Sequence, residues 1–583
     1  MIPHVAFLAL VAAAAPKAAP LKTIAETSGF QRTGRYDEVQ TLCAAFPARF
    51  PGKVTCAPFG ATPMGRPMLH LVASDDGVLT PEAAKTKGRP VLFLQGGIHS
   101  GEIDGKDAGF MLLRDLLEGK VGEGALGKVT VVFVPVLNVD GHERFGKNHR
   151  PNQRGPAEMG WRVTSQNLNL NRDFMKAEAP ETQAVERLLH AWDPIVFADL
   201  HVTDGAKFQH DVSVSLEPWA TGPLGLRVAG KALRAELFAD LESKGHLPVG
   251  FYPAFNADDD PASGFSYGWP PPRFANAYWA ANNRYGVLVE THSWKDFGAR
   301  VKATYDVCLG LVQQAARNGA AWLQSAADAD AAGAKLAGQD VPLLYEPTKQ
   351  PKSLDFLGYE YVREPSEVSG KPWVRYDEKK PAVWKVPFFD ELVPSLTLRA
   401  PRGGYLVPPP HASWVADKLK VHGLDFTVLA REQPAAKVQT FRATPRFRGA
   451  PYEGRQTVQL DGQWKDDTQP LPAGTLFVPA AQPRLFLAMH LLEPTAPDSL
   501  AAWGFFNAHF EQKEYLEDYL AEAFARELLK DPKVKAEFDA RLKDEAFAKD
   551  PEARLRFFYE RHPSFDTRLN LVPVYRTDAS PTR

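Results

Sequence analysis

The feature that most constrains the fold is an alternation of short apolar segments and amphipathic segments between residues 90 and 293. Residues 90–97 (PVLFLQGG), 128–137 (KVTVVFVPVL), 194–202 (PIVFADLHV) and 285–293 (YGVLVETHS) are apolar, as is typical of buried strands. Between them, segments such as 105–119 and 181–192 place apolar side chains at helical spacing. The alternation predicts an α/β fold in which a mixed, mostly parallel β-sheet is flanked by helices on both faces.

The chain has 583 residues, which is more than one ordinary domain. We predict a signal peptide in residues 1–19, a catalytic domain in residues 20–330 and a C-terminal α+β accessory region in residues 340–583. Up to about residue 480 the accessory region is rich in proline, aromatic and β-branched residues, which predicts strands. Its remainder is charged with helical periodicity, and no motif in this half carries recognisable chemistry.

The apolar run of residues 5–15, followed by small residues, resembles a signal peptide and predicts a secreted or periplasmic protein. No segment reaches the roughly 18 consecutive apolar residues that a membrane span needs. The formal net charge of −2 argues against a nucleic-acid or anionic-membrane partner. Cys43 and Cys56, two of three cysteines, lie 13 positions apart; a local disulfide and two buried free thiols both remain open.

Polar side chains lie at the end of each of the four predicted strands or directly after it. In chain order they are His99 with Glu102, Asn138 with Asp140, His201, and Glu290. In open α/β sheets, ligands bind beyond the carboxyl ends of the strands, where these positions converge. The sequence therefore predicts one functional site at this edge of the sheet.

His99 and Glu102 are suited to binding a metal ion, because three residues of a tight turn bring both side chains to one face. A catalytic zinc site takes three protein ligands and leaves one position open for water. The third ligand should be a distant histidine at another strand end. His201 is the best candidate, and His292, two positions after Glu290, is the main alternative.

The remaining chemistry falls on Glu290, Asn171 and Arg172. Because burying an unpaired carboxylate after Val-Leu-Val is costly, we interpret Glu290 as the proton shuttle for hydrolysis; a structural carboxylate paired with arginine is the alternative. Asn171 and Arg172, adjacent in NLNLNRDF, can together clamp a carboxylate. Such a clamp fits a peptide substrate with a free C-terminal carboxylate.

The ordered motifs GGIHSGEIDG, PVLNVDG, NLNLNRDF, PETQAVERLL, ADLHVTDG and VLVETHSW resemble those of the M14 family of zinc metallocarboxypeptidases, the carboxypeptidase A-like fold. The resemblance covers residues 32–324, a little over half of the chain. It implies an αβα sandwich and one Zn²⁺ per chain. Carried over position by position, it assigns the zinc ligands to His99, Glu102 and His201. It assigns the carboxylate clamp to Asn171 and Arg172, and the catalytic glutamate to Glu290.

The resemblance also implies roles that this chain fills differently or ambiguously. The family's oxyanion-stabilising arginine matches Arg150 best, with Arg154 as a close competitor. Family members commonly have an aspartate two positions before the Asn-Arg pair, where it hydrogen-bonds a zinc-binding histidine, but Asn169 stands here. The family's substrate-capping tyrosine matches either Tyr267 or Tyr278.

The predicted function is that of a zinc metallocarboxypeptidase, an enzyme that hydrolyses the C-terminal amide bond of peptides with Glu290 as general base. A zinc amidohydrolase acting on peptidoglycan stem peptides or N-acyl amino acids could use the same metal and clamp. A third alternative, from another class, is a non-catalytic binding protein on this fold. The presence of Glu290 together with all three predicted ligands argues against that third alternative.

Overall fold

The computed structural model describes residues 21–581, so the predicted signal peptide lies outside the described residues. Strands and helices alternate as far as residue 333. The strands are β1 Val54–Ala61, β2 Pro67–Ala73, β3 Val91–Gly96, β4 Thr130–Val134, β5 Val196–Thr203, β6 Val212–Glu217, β7 Pro248–Val249, β8 Phe265–Ser266 and β9 Tyr285–His292. The helices are α1 Ile24–Thr27, α2 Tyr36–Arg49, α3 Pro81–Lys87, α4 Asp104–Leu117, α5 Val139–Glu143, α6 Pro180–Trp192, α7 Leu224–Ser243, α8 Ala275–Ala280 and α9 Phe297–Gly333.

The central sheet has the strand order β1-β2-β4-β3-β5-β9-β6-β7. The four middle strands β4, β3, β5 and β9 run parallel to one another, while β2 and β6 pair antiparallel on either side of them. All residues of β3, β4 and β5 are buried, which explains why their sequences are mostly apolar. The predicted α/β fold with a mixed, mostly parallel sheet is confirmed.

Helices cover both faces of this sheet. Successive residues of a strand point to opposite faces. Helix α4 approaches the face of β5 that carries Leu200, where a Cβ on Gly105 would lie 2.7 Å from the Leu200 side chain. Helix α8 approaches the other face, where Gly286 of β9 leaves room for the backbone carbonyl of Asn276. That second face carries His201 and Glu290, so the close approach places α8 beside the predicted site.

The chain beyond residue 339 contains strands first and then mainly helices. The strands are β10 Asp340–Pro347, β11 Lys352–Pro365, β12 Pro372–Phe389, β13 Leu392–Arg399, β14 Gly404–Val407, β15 Thr427–Val428, β16 Gln433–Phe441, β17 Thr444–Phe447, β18 Val458–Asp461, β19 Trp464–Leu471, β20 Leu476–Pro479 and β21 Tyr575–Thr577. The helices are α10 Pro409–Val421, α11 Leu485–Leu492, α12 Asp518–Leu528, α13 Pro532–Arg541, α14 Glu545–Lys549 and α15 Pro551–Tyr559. The predicted C-terminal region of strands and helices is confirmed as a fold class.

The chain forms two compact units. The first runs to Ala400 and also contains Asp417–Asp425 and Ala480–His490; the second contains Pro401–Ala416, Phe426–Pro479 and the chain from Leu491. In the first unit the long β11–β12 hairpin continues into β8, because β12 pairs in parallel with it. In the second unit a sheet has the order β15-β20-β14-β21-β16-β19. The predicted division at residues 330–340 remains a prediction.

Two features bear on the environment of the protein. Cys43 and Cys56 form a disulfide between α2 and β1, with a Cα–Cα distance of 5.5 Å, which resolves the two alternatives left by the sequence. Within residues 21–581, no helix combines the length and the apolar character needed to cross a membrane.

Candidate metal centre

His99 and Glu102 lie in the tight turn that joins β3 to α4. The backbone N–H of Glu102 donates to the carbonyl of His99 (2.9 Å), which brings the two side chains to the same side of the turn. The turn begins at Gly97, whose φ of +63° lies in the left-handed region that favours glycine. Both side chains are buried. The turn therefore presents an imidazole and a carboxylate together at the end of β3.

His201 lies near the end of β5, directly opposite Glu290 in the register of β5 and β9. Its Nδ1 atom is 2.9 Å from Glu102 Oε2, and His99 Nδ1 is 3.1 Å from Glu102 Oε1. His99, Glu102 and His201 each offer one ligand atom, and these atoms lie within 4.8 Å of one another. The three residues therefore form a compact group, which we call the metal triad.

The metal triad fits zinc by its chemistry. Two imidazole nitrogens and one carboxylate are a donor set of catalytic zinc sites, which keep a further position open. His99 Nδ1 is buried and has no hydrogen-bond partner within residues 21–581, so a metal ion would satisfy an otherwise orphaned nitrogen. The predicted zinc ligands are thus brought together, and their occupation by zinc remains a proposal.

His292, the alternative third ligand, lies outside the metal triad. Its ring stacks on Phe208 with a centroid distance of 3.9 Å and an interplanar angle of 11°. Burial lowers its pKa to about 3, so it packs as a neutral ring. Strand alternation places His292 on the same face of β9 as Glu290, so the difference lies in position along the strand: His292 pairs with Thr203, two residues beyond His201, and His201 is the histidine that reaches Glu102.

The charges around the metal triad shift the pKa values of its residues in different directions. Burial raises the pKa of Glu102, but the neighbouring His99 and Arg150 charges hold it well below its ordinary value. Burial lowers the pKa of His99 to about 4. For His201, burial also lowers the pKa, yet the charges of Asp199 and Glu290 raise it well above its ordinary value. The pKa values of the two imidazoles thus respond to the nearby carboxyl groups of Glu102, Asp199 and Glu290.

Glu290 reaches the same region from the end of β9. Its side chain is buried, and Oε2 has no hydrogen-bond partner in the described part of the chain. Burial raises its pKa to about 8, together with the charges of Glu102 and Asp199 and against the opposing charge of His201. A cation held by the metal triad would lower that pKa toward the range of a general base.

Three arginines lie near the site, and they differ in position. Arg150 is enclosed between Glu102 Oε1 (2.8 Å) and Asp204 Oδ1 (3.3 Å). Arg162 also approaches Glu102 Oε1, at 3.3 Å, and its side chain is 37% exposed. Arg154 points elsewhere and forms an ion pair with Glu378 of β12 at 2.9 Å.

Arg162 is a candidate that the sequence reasoning missed. Arg162 lines the cavity that contains His99 and Glu290. From the sequence, only Arg150 and Arg154 were candidates for stabilising the oxyanion. Its position nine residues before Asn171, in the same loop, was the available signal. The assignment of the oxyanion contact to Arg150 stays a prediction, with Arg162 as its competitor.

Asn171 and Arg172 lie in a single 3₁₀ turn, Leu170–Arg172, whose first residue is preceded by the capping side chain of Asn169. Asn171 Oδ1 accepts a hydrogen bond from the backbone N–H of Ala275 (3.1 Å), which ties the turn to the start of α8. The guanidinium of Arg172 lies 4.4 Å from the ring centroid of Phe274. Both predicted clamp residues line the cavity of the metal triad.

The tyrosines expected from the sequence differ in their access to the cavity. The Tyr278 hydroxyl is buried against His190 (3.0 Å) and His422 (3.1 Å), away from the cavity lining. Tyr267 lines the cavity wall, but its hydroxyl is hydrogen-bonded to Glu217. Tyr252, which the sequence reasoning did not consider, also lines the cavity and is 42% exposed. Its place in the Gly- and Pro-flanked segment GFYPAF was the signal for an accessible loop residue.

The cavity in front of the metal triad has a volume of about 380 Å³. One part of its lining consists of the groups described above. The rest is mainly apolar and includes Val202, Trp269, Pro270, Pro271, Phe274 and Leu288, together with Ser215 and Asn276. A cavity with a metal triad, a carboxylate clamp and an apolar wall can hold the end of a peptide chain.

Sequence comparisons show that part of the chain is similar to a known family. Residues 39–211 match the Peptidase M14 family, described as zinc carboxypeptidase. "Probable carboxypeptidase 2" of Trichophyton verrucosum (strain HKI 0517) is 26% identical over 190 residues, 31% of this chain and 33% of that protein. "Carboxypeptidase 2" of Trichophyton rubrum is 27% identical over 136 residues, 23% of this chain and 22% of that protein. The chain thus spans a third or less of the length of these relatives.

Solved carboxypeptidase structures are also similar, at low scores. Carboxypeptidase A from Helicoverpa armigera shares 17% identity at a TM-score of 0.36, covering 51% of this chain and 75% of its own. A metallo-carboxypeptidase from Burkholderia cenocepacia shares 18% identity at a TM-score of 0.34, covering 46% and 67%. The sequence match confirms the resemblance seen in the motifs: residues 39–211 are similar to the M14 family of zinc carboxypeptidases, a family of metallopeptidase hydrolases.

Proposed function

We propose that this protein is a zinc metallocarboxypeptidase that removes the C-terminal residue of peptides with one Zn²⁺ per chain. The observation that carries the proposal is the convergence of three groups on one cavity. The metal triad, the unpartnered carboxyl of Glu290, and the Asn171–Arg172 turn all contribute to its lining or directly adjoin it. Hydrolysis of a terminal amide needs each of these functions within reach of the same bond.

The proposed mechanism assigns a separate task to each side chain. Zinc bound by the metal triad would activate water and polarise the scissile carbonyl. Glu290 takes the proton from the attacking water and passes it to the leaving amine. Asn171 and Arg172 hold the terminal carboxylate of the substrate, the arginine through its bidentate fork. Tyr252, accessible at the cavity, can close over the bound residue.

The experiment that tests this function compares peptides that differ only at their C-termini. We expect release of single residues from peptides with a free carboxylate and at least a tenfold lower rate on the matched C-terminal amides, because an amide cannot form the charge-assisted contact with Arg172. Product masses by mass spectrometry give the readout. Cleavage confined to peptidoglycan stem peptides or N-acyl amino acids would favour the amidohydrolase alternative. Peptide binding without turnover would favour the binding-protein alternative.

The arginine assignment yields a second prediction. For Arg150→Ala we expect kcat/KM to fall by about 10²–10³-fold with zinc retained, as for loss of one oxyanion donor. Arg154→Ala is the control, because Arg154 pairs with Glu378 outside the cavity, and its kcat/KM should stay near that of the wild type. A large loss in Arg162→Ala alone would transfer the oxyanion role to Arg162.

The wall formed by Ser215, Asn276 and Leu288 supports an expectation for the leaving residue. Asn276 is 2% exposed, and its Nδ2 atom has no hydrogen-bond partner within residues 21–581. Leu288 lies on the same face of β9 as Glu290. Ser215, on the neighbouring strand β6, pairs with Leu288. The wall carries no charge but offers a buried donor. We propose a preference for a neutral terminal side chain with an acceptor, such as that of asparagine or glutamine.

We therefore expect the wild type to prefer peptides ending in asparagine over those ending in leucine, which has a similar shape. In Asn276→Leu the ratio of the two kcat/KM values should shift toward leucine by roughly 5–150-fold. This factor corresponds to the cost of about 1–3 kcal/mol for leaving a buried polar group unpaired. Competition between the two peptides in one reaction gives this ratio directly. An unchanged ratio would show that Asn276 does not determine the preference for the terminal residue. The proposal for the metal site would be unaffected.

We also propose that the protein acts in an oxidising compartment, as a secreted or periplasmic enzyme. The support is the Cys43–Cys56 disulfide, since such bonds persist outside the reducing cytosol. Fractionation of the native host with an antibody, followed by N-terminal sequencing of the mature chain, tests this. Recovery in the cytosolic fraction with free thiols would contradict it.

A further inference from the structure

The two histidines of the metal triad contact different acceptors through the ring nitrogen that faces away from Glu102. Both turn Nδ1 toward Glu102 and use Nε2 for a second contact. For His99, the partner of Nε2 is Asn169 Oδ1 at 3.0 Å. The same oxygen also accepts from the backbone N–H of Asn171 (3.1 Å), so two donors fix the amide oxygen at this position. His99 is therefore supported by a neutral acceptor.

His201 is supported by a carboxylate instead. Its Nε2 atom is 2.7 Å from Asp199 Oδ2. The two residues are separated by two positions in β5, so strand periodicity puts both side chains on one face. Gln95 of the adjacent strand β3 donates from Nε2 to the other oxygen of Asp199, at 2.9 Å. Gln95 and Asp199 are fully buried, and His201 is nearly so.

We propose that Asp199, clamped by Gln95, is the positioning carboxylate of the zinc site and acts through His201. A carboxylate on the outer nitrogen fixes the tautomer that leaves Nδ1 free for a metal, and it makes the imidazole a stronger donor. In the M14 pattern this task falls at the position of Asn169, on the other histidine. In this chain the charged acceptor supports His201, and a neutral amide supports His99. This inference rests on the proposed zinc site.

The test is zinc affinity, measured by competition with a chromogenic chelator, on wild type and on Asp199→Asn. Asparagine can keep both contacts, since its Oδ1 can accept from His201 and its Nδ2 can donate to Gln95 Oε1, which has no hydrogen-bond partner in the described chain. Packing is therefore preserved and only the charge is lost. We expect zinc to bind about 10–100-fold more weakly.

A compensating variant makes the test sharper. Asn169→Asp restores a carboxylate on the other histidine, so Asp199→Asn combined with Asn169→Asp should return zinc affinity toward the wild-type value. Asp193→Asn is the control for loss of an acidic charge, because Asp193 is partly exposed and pairs with Arg284. Its zinc affinity should match that of the wild type.

The outcomes separate this inference from the proposed function. Weaker zinc binding in Asp199→Asn, rescued by Asn169→Asp, supports it. Zinc affinity within twofold of the wild type overturns it while leaving the carboxypeptidase proposal intact. A wild type that binds no zinc overturns both. If Asp199→Asn does not fold, Gln95→Met is the alternative variant, because it keeps the carboxylate of Asp199 but removes the hydrogen bond from Gln95. Zinc affinity should then fall by a smaller factor than expected for Asp199→Asn. An unchanged zinc affinity counts against the proposal.

Discussion

Glu290→Gln is expected to lower kcat by about 10²–10⁴-fold, the contribution of general acid–base catalysis, with zinc content unchanged. Glutamine keeps the size and one acceptor of the side chain but cannot take up and return a proton. Glu290 lies opposite His201 in the sheet, and its Oε2 atom has no hydrogen-bond partner among residues 21–581, so this atom is available to a water molecule or a substrate amine. Steady-state kinetics and elemental analysis on the same sample measure both quantities.

Glu181→Gln is the matched control for this substitution. Glu181 is also a buried carboxyl, and burial raises its pKa to about 7, but it lies at the start of α6 and does not line the cavity. Its kcat should remain within a few-fold of the wild type. Wild-type kcat in Glu290→Gln would remove the proton shuttle from the proposed mechanism and favour a binding protein.

His201→Ala is expected to abolish both zinc binding and hydrolysis. The substitution leaves two of the three ligands, and catalytic zinc sites use three. It also leaves the buried Asp199 without its imidazole partner, which further disfavours an ordered site. Metal content after dialysis and single-residue release from a peptide are the readouts.

His292→Ala is the informative control, because the sequence left His292 as the main alternative to His201. His292 stacks on Phe208 and lies outside the metal triad, so the variant should retain zinc. Loss of zinc in His292→Ala with retention in His201→Ala would reverse the ligand assignment.

The fold of the first half could be predicted because its signal is local. The strands at residues 91–96 and 196–203 are mostly apolar, and the polar residues of the site lie toward or just beyond their carboxyl ends. Once the strands are parallel, their carboxyl ends share one edge, so the convergence of His99, His201 and Glu290 follows from periodicity and strand direction. Asp199 was also within reach of this reasoning, because it shares a strand face with His201.

The remaining features depend on distant contacts that no local pattern specifies. Arg154 was a reasonable oxyanion candidate until its ion pair with Glu378, 224 positions away, placed it outside the cavity. Tyr278 was excluded by contacts with His190 and His422 on other elements. Arg162 and Tyr252 lie on loops, whose paths depend on tertiary packing more than on their own sequence. The pairing of β12 with β8 likewise joins segments more than 100 residues apart.

The most direct test of the central claim is zinc-dependent trimming by the wild-type protein. Zinc per chain is measured by elemental analysis, and release of the terminal residue is followed before chelation, after chelation and after zinc is restored. The account predicts close to one zinc per chain, with trimming that disappears with the metal and returns with it. A chain that holds no zinc even after reconstitution, or that trims equally well without it, would contradict the account.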